Sequence, residues 1–136
     1  MENINILSKT KLKEIKKLKL KKYRDLENKF LIEGEHLILE AEKANKEQEI
    51  YDISNLKESD KKEISSLDNP SNLISVVKKD NNNFLKGNKL LLLDEIQDPG
   101  NLGTIIRSAL AFNIDTIVLG KNTCDLYNEK VIRATQ

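Results

Sequence analysis

Residues 89–120, KLLLLDEIQDPGNLGTIIRSALAFNIDTIVLG, join two continuous apolar runs through a turn-rich loop and an amphipathic segment. The runs KLLLLD (89–94) and DTIVLG (115–120) lack the alternation of a half-exposed strand and have the pattern of strands buried on both faces of a parallel sheet. In the segment between them, a rotation of about 100° per residue gathers Leu102, Ile105, Ile106, Ala109, Leu110 and Phe112 on one broad face, which predicts an amphipathic helix with that face in the core. A strand, loop, helix and second strand in this order form a unit whose crossover is right-handed. Strand-forming and helical segments alternate through the rest of the chain as well, so the expected class is α/β.

The loop before the helix draws attention for its chemistry. Asp98, Pro99, Gly100 and Asn101 suit a turn: proline fixes φ, glycine permits positive φ, and the Asp or Asn side chain bonds nearby backbone. Asn101 is then the natural N-cap of the helix. In open α/β sheets ligands sit beyond the carboxyl ends of the strands, beside helix N-termini, which is where this loop falls. Arg107 lies on the side of the helix opposite the core face, with Gly103 four residues before it and Ala111 four after, so small side chains flank its stem. Spacing leaves two readings open, a solvent-exposed arginine or a guanidinium that reaches back to grip phosphate. The loop matches neither G-x-G-x-x-G nor G-x-x-x-x-G-K-[ST], which disfavours dinucleotide-dependent redox chemistry and NTPase activity.

N-terminal to this unit, KFLIEG (29–34), EIYDI (49–53) and NLISVVKK (72–79) read as strands. EHLILEAEKANK, with Leu37, Ile38 and Ala41 inward, and SDKKEISSL (59–67), with Ser59 as a possible N-cap, read as helices. Residues 9–24, KTKLKEIKKLKLKKYR, carry eight lysines and Arg24 against Glu14 alone, a local balance of +8 within a chain of net charge +1. Leu12, Ile15, Leu18, Tyr23 and Leu26 recur at spacings compatible with one helix face, which predicts a single basic amphipathic helix. Such a block is either a solvated lysine-rich face or the footprint of a polyanion partner, and Lys16, Lys17, Lys21, Lys22 and Arg24 are the candidates for contact with the phosphates of such a partner. Periodicity lapses in DNNNFLKGN (80–88), so the expected organisation is a first domain over residues 1–80, a linker at 81–88 and a second domain from 89.

The composition sets outer bounds. No stretch approaches the roughly 18 apolar residues of a membrane span and the N-terminus has no secretory pattern, so the expected location is the cytoplasm, without membrane association. One cysteine, Cys124, and one histidine, His36, offer neither an internal disulfide nor a zinc cluster, and no metal site is expected. His36 is read as a surface residue. Two parallel strands do not complete a doubly wound sheet, so the second domain is expected to be incomplete, with one face and one strand edge unpaired.

The residues of the second half also carry a family resemblance. LLLLDEIQDPGNLGTIIRSALAF followed by IDTIVLG resembles the first signature motif of the SpoU (TrmH-like) family of RNA ribose 2′-O-methyltransferases, in which the pattern D-P-x-N-x-G-x-x-x-R-(S/T)-A is met here by Asp98, Pro99, Asn101, Gly103, Arg107, Ser108 and Ala109. NEKVIRAT is similar to the helix that follows in that family, and Asn113 stands where glycine is usual. KYRDLENKFLIEGEHLILEA is similar to the small α/β substrate-binding domain of many members, a fold related to kink-turn-binding ribosomal proteins. The resemblance implies an RNA-binding domain followed by the start of an α/β-knot methyltransferase domain, cut before the knot.

It further implies methyl transfer from S-adenosylmethionine to RNA, ribosomal RNA foremost, and homodimerisation through the completed knotted domain. Arg107 and Asn101 would be the catalytic residues, with Asp98, Pro99, Gly100 and Gly103 shaping the loop. The two cofactor-binding motifs of the family lie beyond these residues, so no cofactor-binding residue is expected in this chain. The alternative reading is a non-catalytic RNA-binding module that uses the basic segment and not Arg107.

Overall fold

The computed structural model describes residues 3–80 and 85–135. The chain falls into two compact units, residues 1–79 and 80–136.

In the first unit four strands, β1 (Ile4–Ile6), β2 (Lys29–Glu33), β3 (Gln48–Asp52) and β4 (Leu73–Lys78), form one sheet in the order β1-β3-β4-β2. β1 runs parallel to β3, and the other pairs are antiparallel. Four helices accompany it, α1 (Lys9–Lys17), α2 (Lys21–Glu27), α3 (Glu35–Lys43) and α4 (Glu58–Ile64). The register sets Leu31 and Glu49 beside Val76, and Tyr51 beside Ile74, on one face. With Ile15 of α1, Leu18, Ile53 and Ile64 of α4, the apolar members of that face make the core. Each such aliphatic side chain contributes about 1.5–3 kcal/mol by leaving water. On the other face, Ile32, Ile50 and Val77 are buried together with Ile38 and Ala41 of α3. The buried Ser75 hydroxyl donates to Gln48 Oε1 at 2.7 Å, and Gln48 Nε2 donates to the Ile38 carbonyl at 3.2 Å. That polar bridge ties β3, β4 and α3 together with its groups satisfied.

Glu33 closes the end of β2. Its carboxylate accepts from Ser65 Oγ at 2.7 Å, from the Ser71 amide at 2.9 Å and from the Ser66 amide at 3.3 Å, which pins residues 65–71. Gly34, at φ +96°, makes the turn into α3, a conformation that side chains disfavour.

Three expectations for this half are corrected. The basic segment is two helices, because the chain turns at Leu18–Leu20 and Arg24 holds the carbonyls exposed there. Leu26 projects into solvent instead of joining the core face. Ser59 lies inside α4, whose N-cap position is Lys57 with no side-chain bond. β1 was not anticipated, since a three-residue strand carries too little pattern to register.

The second unit holds β5 (Leu90–Leu93) and β6 (Thr116–Leu119), paired in parallel, with α5 (Pro99–Ala111) and α6 (Glu129–Ala134). Asp115 fixes the entry to β5: its carboxylate accepts from the Asn88 amide at 2.9 Å and the Lys89 amide at 3.0 Å. Gly87, at φ +75°, leaves room for that carboxylate, which a Cβ would strike. Of the expected linker, residues 81–84 lie outside the described residues. Asn113 takes φ 58°, the left-handed region that asparagine tolerates.

The packing of this unit corrects three expectations. The run Leu90–Leu93 is not buried on both faces: Leu90 and Leu92 are exposed, Leu92 at 72%, while Leu91 and Leu93 are half-buried. Along α5, Leu102, Gly103 and Ala109 are buried, but Leu110 at 80% and Phe112 at 75% exposure are not part of the core among the described residues. Gly103 meets α6 instead of clearing a groove for Arg107; a Cβ there would collide with Ala134 Cβ and come within 2.9 Å of the Val131 carbonyl oxygen.

Candidate functional site

The loop of interest leaves the carboxyl end of β5 and enters α5, and it is built by hydrogen bonds from the neighbouring loop after β6. The Cys124 amide donates to the Ile96 carbonyl at 2.8 Å, the Gly120 amide to the Leu93 carbonyl at 2.8 Å and Thr123 Oγ1 to the same carbonyl at 3.4 Å. Asn122 Nδ2 reaches Glu95 Oε1 at 3.5 Å. Glu95 itself sits at φ 55°, so the chain turns sharply there and its side chain faces outward. Burial holds the Cys124 thiol above its ordinary pKa, with the Asp98 and Asp125 charges acting in the same direction, so it stays a thiol at neutral pH.

Asp98, not Asn101, is the N-cap. Its carboxylate accepts from the Asn101 amide at 2.8 Å, and Pro99 takes the first helical position, where its missing N–H costs nothing. Gly100 therefore lies in the first turn of α5 and does not use positive φ. Relieved of the capping role, the Asn101 side chain is exposed on the helix surface. Together with Glu95, Ile96, Gln97, Asp98, Thr104 and Ile105 it lines an open groove of about 380 Å³. Glu95, Gln97 and Thr104 were not singled out from the sequence. Thr104 was accessible to the helical wheel, because it lies one turn after Asn101 on the same side.

Arg107 is exposed on α5 and has no hydrogen-bond or ion-pair partner among the described residues. It does not line the groove. It stands about 9 Å along the axis from Asn101 and one turn beyond Thr104. The arrangement offers a permanent cation with a planar set of donors on the same helix as an exposed amide and an exposed hydroxyl. These are the groups that hold a phosphate and an adjoining sugar.

The groove does not fit an S-adenosyl cofactor: two carboxylates, two amides, one hydroxyl and two isoleucines around an open depression do not enclose a nucleoside. Among the described residues no group of three His, Cys, Asp or Glu side chains is placed to hold a metal ion, and no helix is long and apolar enough to cross a membrane.

The basic residues of the first unit separate into two sets. Lys16 bonds Asp60 and Glu63, each at 2.9 Å, and Lys21 bonds Asp25 at 2.6 Å. Arg24 is only 6% exposed, and its Nη1 donates to the Leu18 and Lys19 carbonyls at 3.0 and 2.9 Å, so it closes the end of α1 and is not presented to a partner. Lys17 and Lys22 are exposed, with their ammonium groups 5.5 and 5.6 Å from the centre of the Tyr23 ring. Of the five basic candidates, these two remain available to a ligand.

Comparison with known proteins accounts for both halves. Residues 9–80 match the MRM3-like substrate binding domain and residues 88–136 match the SpoU rRNA Methylase family. The chain is 36% identical to the 23S rRNA (guanosine(2553)-2'-O)-methyltransferase RlmP of Bacillus subtilis, over 100% of this chain and 61% of that protein. It is 29% identical to the human mitochondrial rRNA methyltransferase 3, over 86% of this chain and 34% of that protein. It thus spans about three fifths of the bacterial relative's length and about a third of the human one's. Among solved structures, a TrmH-family protein from Porphyromonas gingivalis superposes with a TM-score of 0.82 at 31% identity, over 96% of this chain and 59% of that one. The AdoMet-bound rRNA methyltransferase of Sinorhizobium meliloti does so at 0.77 and 26%, over 97% and 60%. With its two units matched in order, the chain belongs to the SpoU family of RNA methylases, and its first unit is an MRM3-like substrate-binding domain.

Proposed function

We propose that this chain binds ribosomal RNA and acts in ribose 2′-O-methylation, with the first unit gripping the RNA and the second presenting the reacting ribose. The observation that carries the reading is Arg107: an exposed, unpartnered guanidinium on the helix that an Asp98–Pro99 turn launches from the carboxyl end of a parallel strand.

A guanidinium stays protonated at neutral pH, so Arg107 is not a general base. It binds the phosphate next to the target ribose and thereby fixes the 2′-hydroxyl, while Asn101 orients the sugar from about one and two-thirds turns away. Holding the hydroxyl in line with an incoming methyl group is the main help such a displacement needs. The 2′-hydroxyl proton passes to a phosphate oxygen of the RNA or to water. S-adenosylmethionine is the methyl donor of this reading, supported by the AdoMet-bound relative. The reading also places the protein in the cytoplasm with its RNA, and as a homodimer like other SpoU proteins.

The test is methyl transfer to ribosomal RNA by the protein isolated from its own source. Arg107→Ala lowers the rate by about 10²–10³, the usual cost of losing one charge-stabilising donor. Arg107→Lys recovers only part of it, because an ammonium cannot make the paired contact. An Arg107→Ala protein that methylates at the original rate rules the assignment out. If RNA affinity alone persists and no methyl transfer is found in the unaltered protein, the chain is an RNA-binding module.

A further inference from the structure

The basic segment holds more positive charge than its ion pairs consume, and the distribution of the excess is regular. Lys11 is tied to Glu14 and Glu49, Lys16 to Asp60 and Glu63, and Lys21 to Asp25; Lys19 donates to the Ile64 carbonyl. Lys9, Lys13 and Lys17 have no carboxylate partner among the described residues, and all three are exposed. They recur every fourth residue of α1, on the side opposite the buried Ile15, and so form a row with steps of about 6 Å along the axis. The row ends at Tyr23, over whose ring Lys17 and Lys22 both place their ammonium groups.

Helix stability favours Lys17, which lies in the last turn of α1 at the negative end of the helix dipole, but it does not account for Lys9 and Lys13. The first turn of α1 contains no acidic residue and begins with lysine, against the partial positive charge of the helix N-terminus. Lysines every four residues also repel one another.

Resting on the RNA-binding reading of the first unit, we propose that Lys9, Lys13, Lys17 and Lys22 form a track for one RNA strand. Their ammonium groups take successive backbone phosphates and Tyr23 meets an unstacked base at the end of the row. Lys16, Lys21 and Arg24 belong to the scaffold. Contacts to phosphate by ammonium groups carry no sequence information, so the track supplies affinity and orientation, while the identity of the target nucleotide is read elsewhere.

The experiment measures binding of the whole chain to a labelled single-stranded RNA of mixed sequence as salt is varied. Four phosphate contacts give a logarithmic slope of about −3. Replacing Lys9, Lys13, Lys17 and Lys22 together by glutamine, a comparably good helix former, flattens that slope by about 3 and lowers low-salt affinity more than tenfold. The Lys16→Gln, Lys21→Gln pair leaves the slope within one unit while lowering the melting temperature. Tyr23→Leu weakens binding severalfold at unchanged slope, and Tyr23→Phe restores it, since stacking releases no counterions. The proposal is overturned if the fourfold variant, shown folded by circular dichroism, keeps the original slope, or if the Lys16, Lys21 pair flattens it as much. It is equally overturned if vesicles of anionic phospholipid bind more tightly than RNA with the same lysine dependence. Retained methylation by a fourfold variant that still binds RNA sinks the track and leaves the Arg107 assignment standing.

Discussion

Two residues with ordinary surface reputations are structural here, and each yields a measurable consequence. Gly103 lies where α5 and α6 touch, so Gly103→Ala drives a methyl group into Ala134 and the Val131 carbonyl. Overpacking of that kind costs about 1–3 kcal/mol, and urea unfolding of the second unit should shift accordingly. Arg24 binds two carbonyls at the end of α1. Arg24→Gln leaves these groups less than satisfied, and a loss of about 1–3 kcal/mol is expected, with the salt slope of RNA binding unchanged where the variant is folded. The sequence pattern did not mark Arg24 for this role, because a buried cation that serves backbone carbonyls is indistinguishable, in a run of lysines, from one that awaits phosphate. Asp25 reports on pH: Lys21 first and Lys79 second hold its carboxyl at about 2, below the ordinary carboxylate range. Its stabilising effect is therefore complete above the usual pKa of about 4 and is lost as pH falls through about 2. The stability gap between the native protein and Asp25→Asn should be constant at neutral pH and close in strong acid, as followed by circular dichroism.

At the scale of elements, strands with long apolar runs and helices with clear periodicity were legible: β2, β4, β5 and β6 lie within the expected stretches, and β3 begins and ends one residue earlier than expected. The ends of elements were less so. DPGN admits either Asp98 or Asn101 as cap, and the choice falls to Asp98 because Pro99, with its fixed φ and absent N–H, fits the first helical position. Asp98→Ala should cost about 0.5–2 kcal/mol and fray the first turn of α5, seen as faster amide exchange at Asn101 and Leu102. The break between α1 and α2 carries neither glycine nor proline; it is marked only by a local contact, that of Arg24 with carbonyls five and six residues before it. In the proposed site, Asn101 and Arg107 were singled out through the family motif, since spacing alone left Arg107 open between a plain surface residue and a phosphate ligand. The groove they approach was hidden, because Glu95 and Gln97 reach it only through a turn that the neighbouring loop imposes.

The whole molecule divides the proposed labour between a first unit with a closed core and an unpaired row of lysines, and a second unit whose Leu90, Leu92, Leu110 and Phe112 remain exposed among the described residues. Uniform apolar runs predicted burial on both sides, but a run reports only that a strand is suited to burial and not which neighbours cover it. Family membership at this scale rests on matches to both units in order, and the proposed chemistry rests on Arg107. The most direct test maps 2′-O-methyl groups over the ribosomal RNA of cells in which Arg107→Ala replaces the native residue at its own locus. Methylation is expected to disappear at one ribose, or a few riboses, and to be unchanged elsewhere, while the altered protein still binds RNA. A methylation map identical to that of unaltered cells would contradict the proposed chemistry.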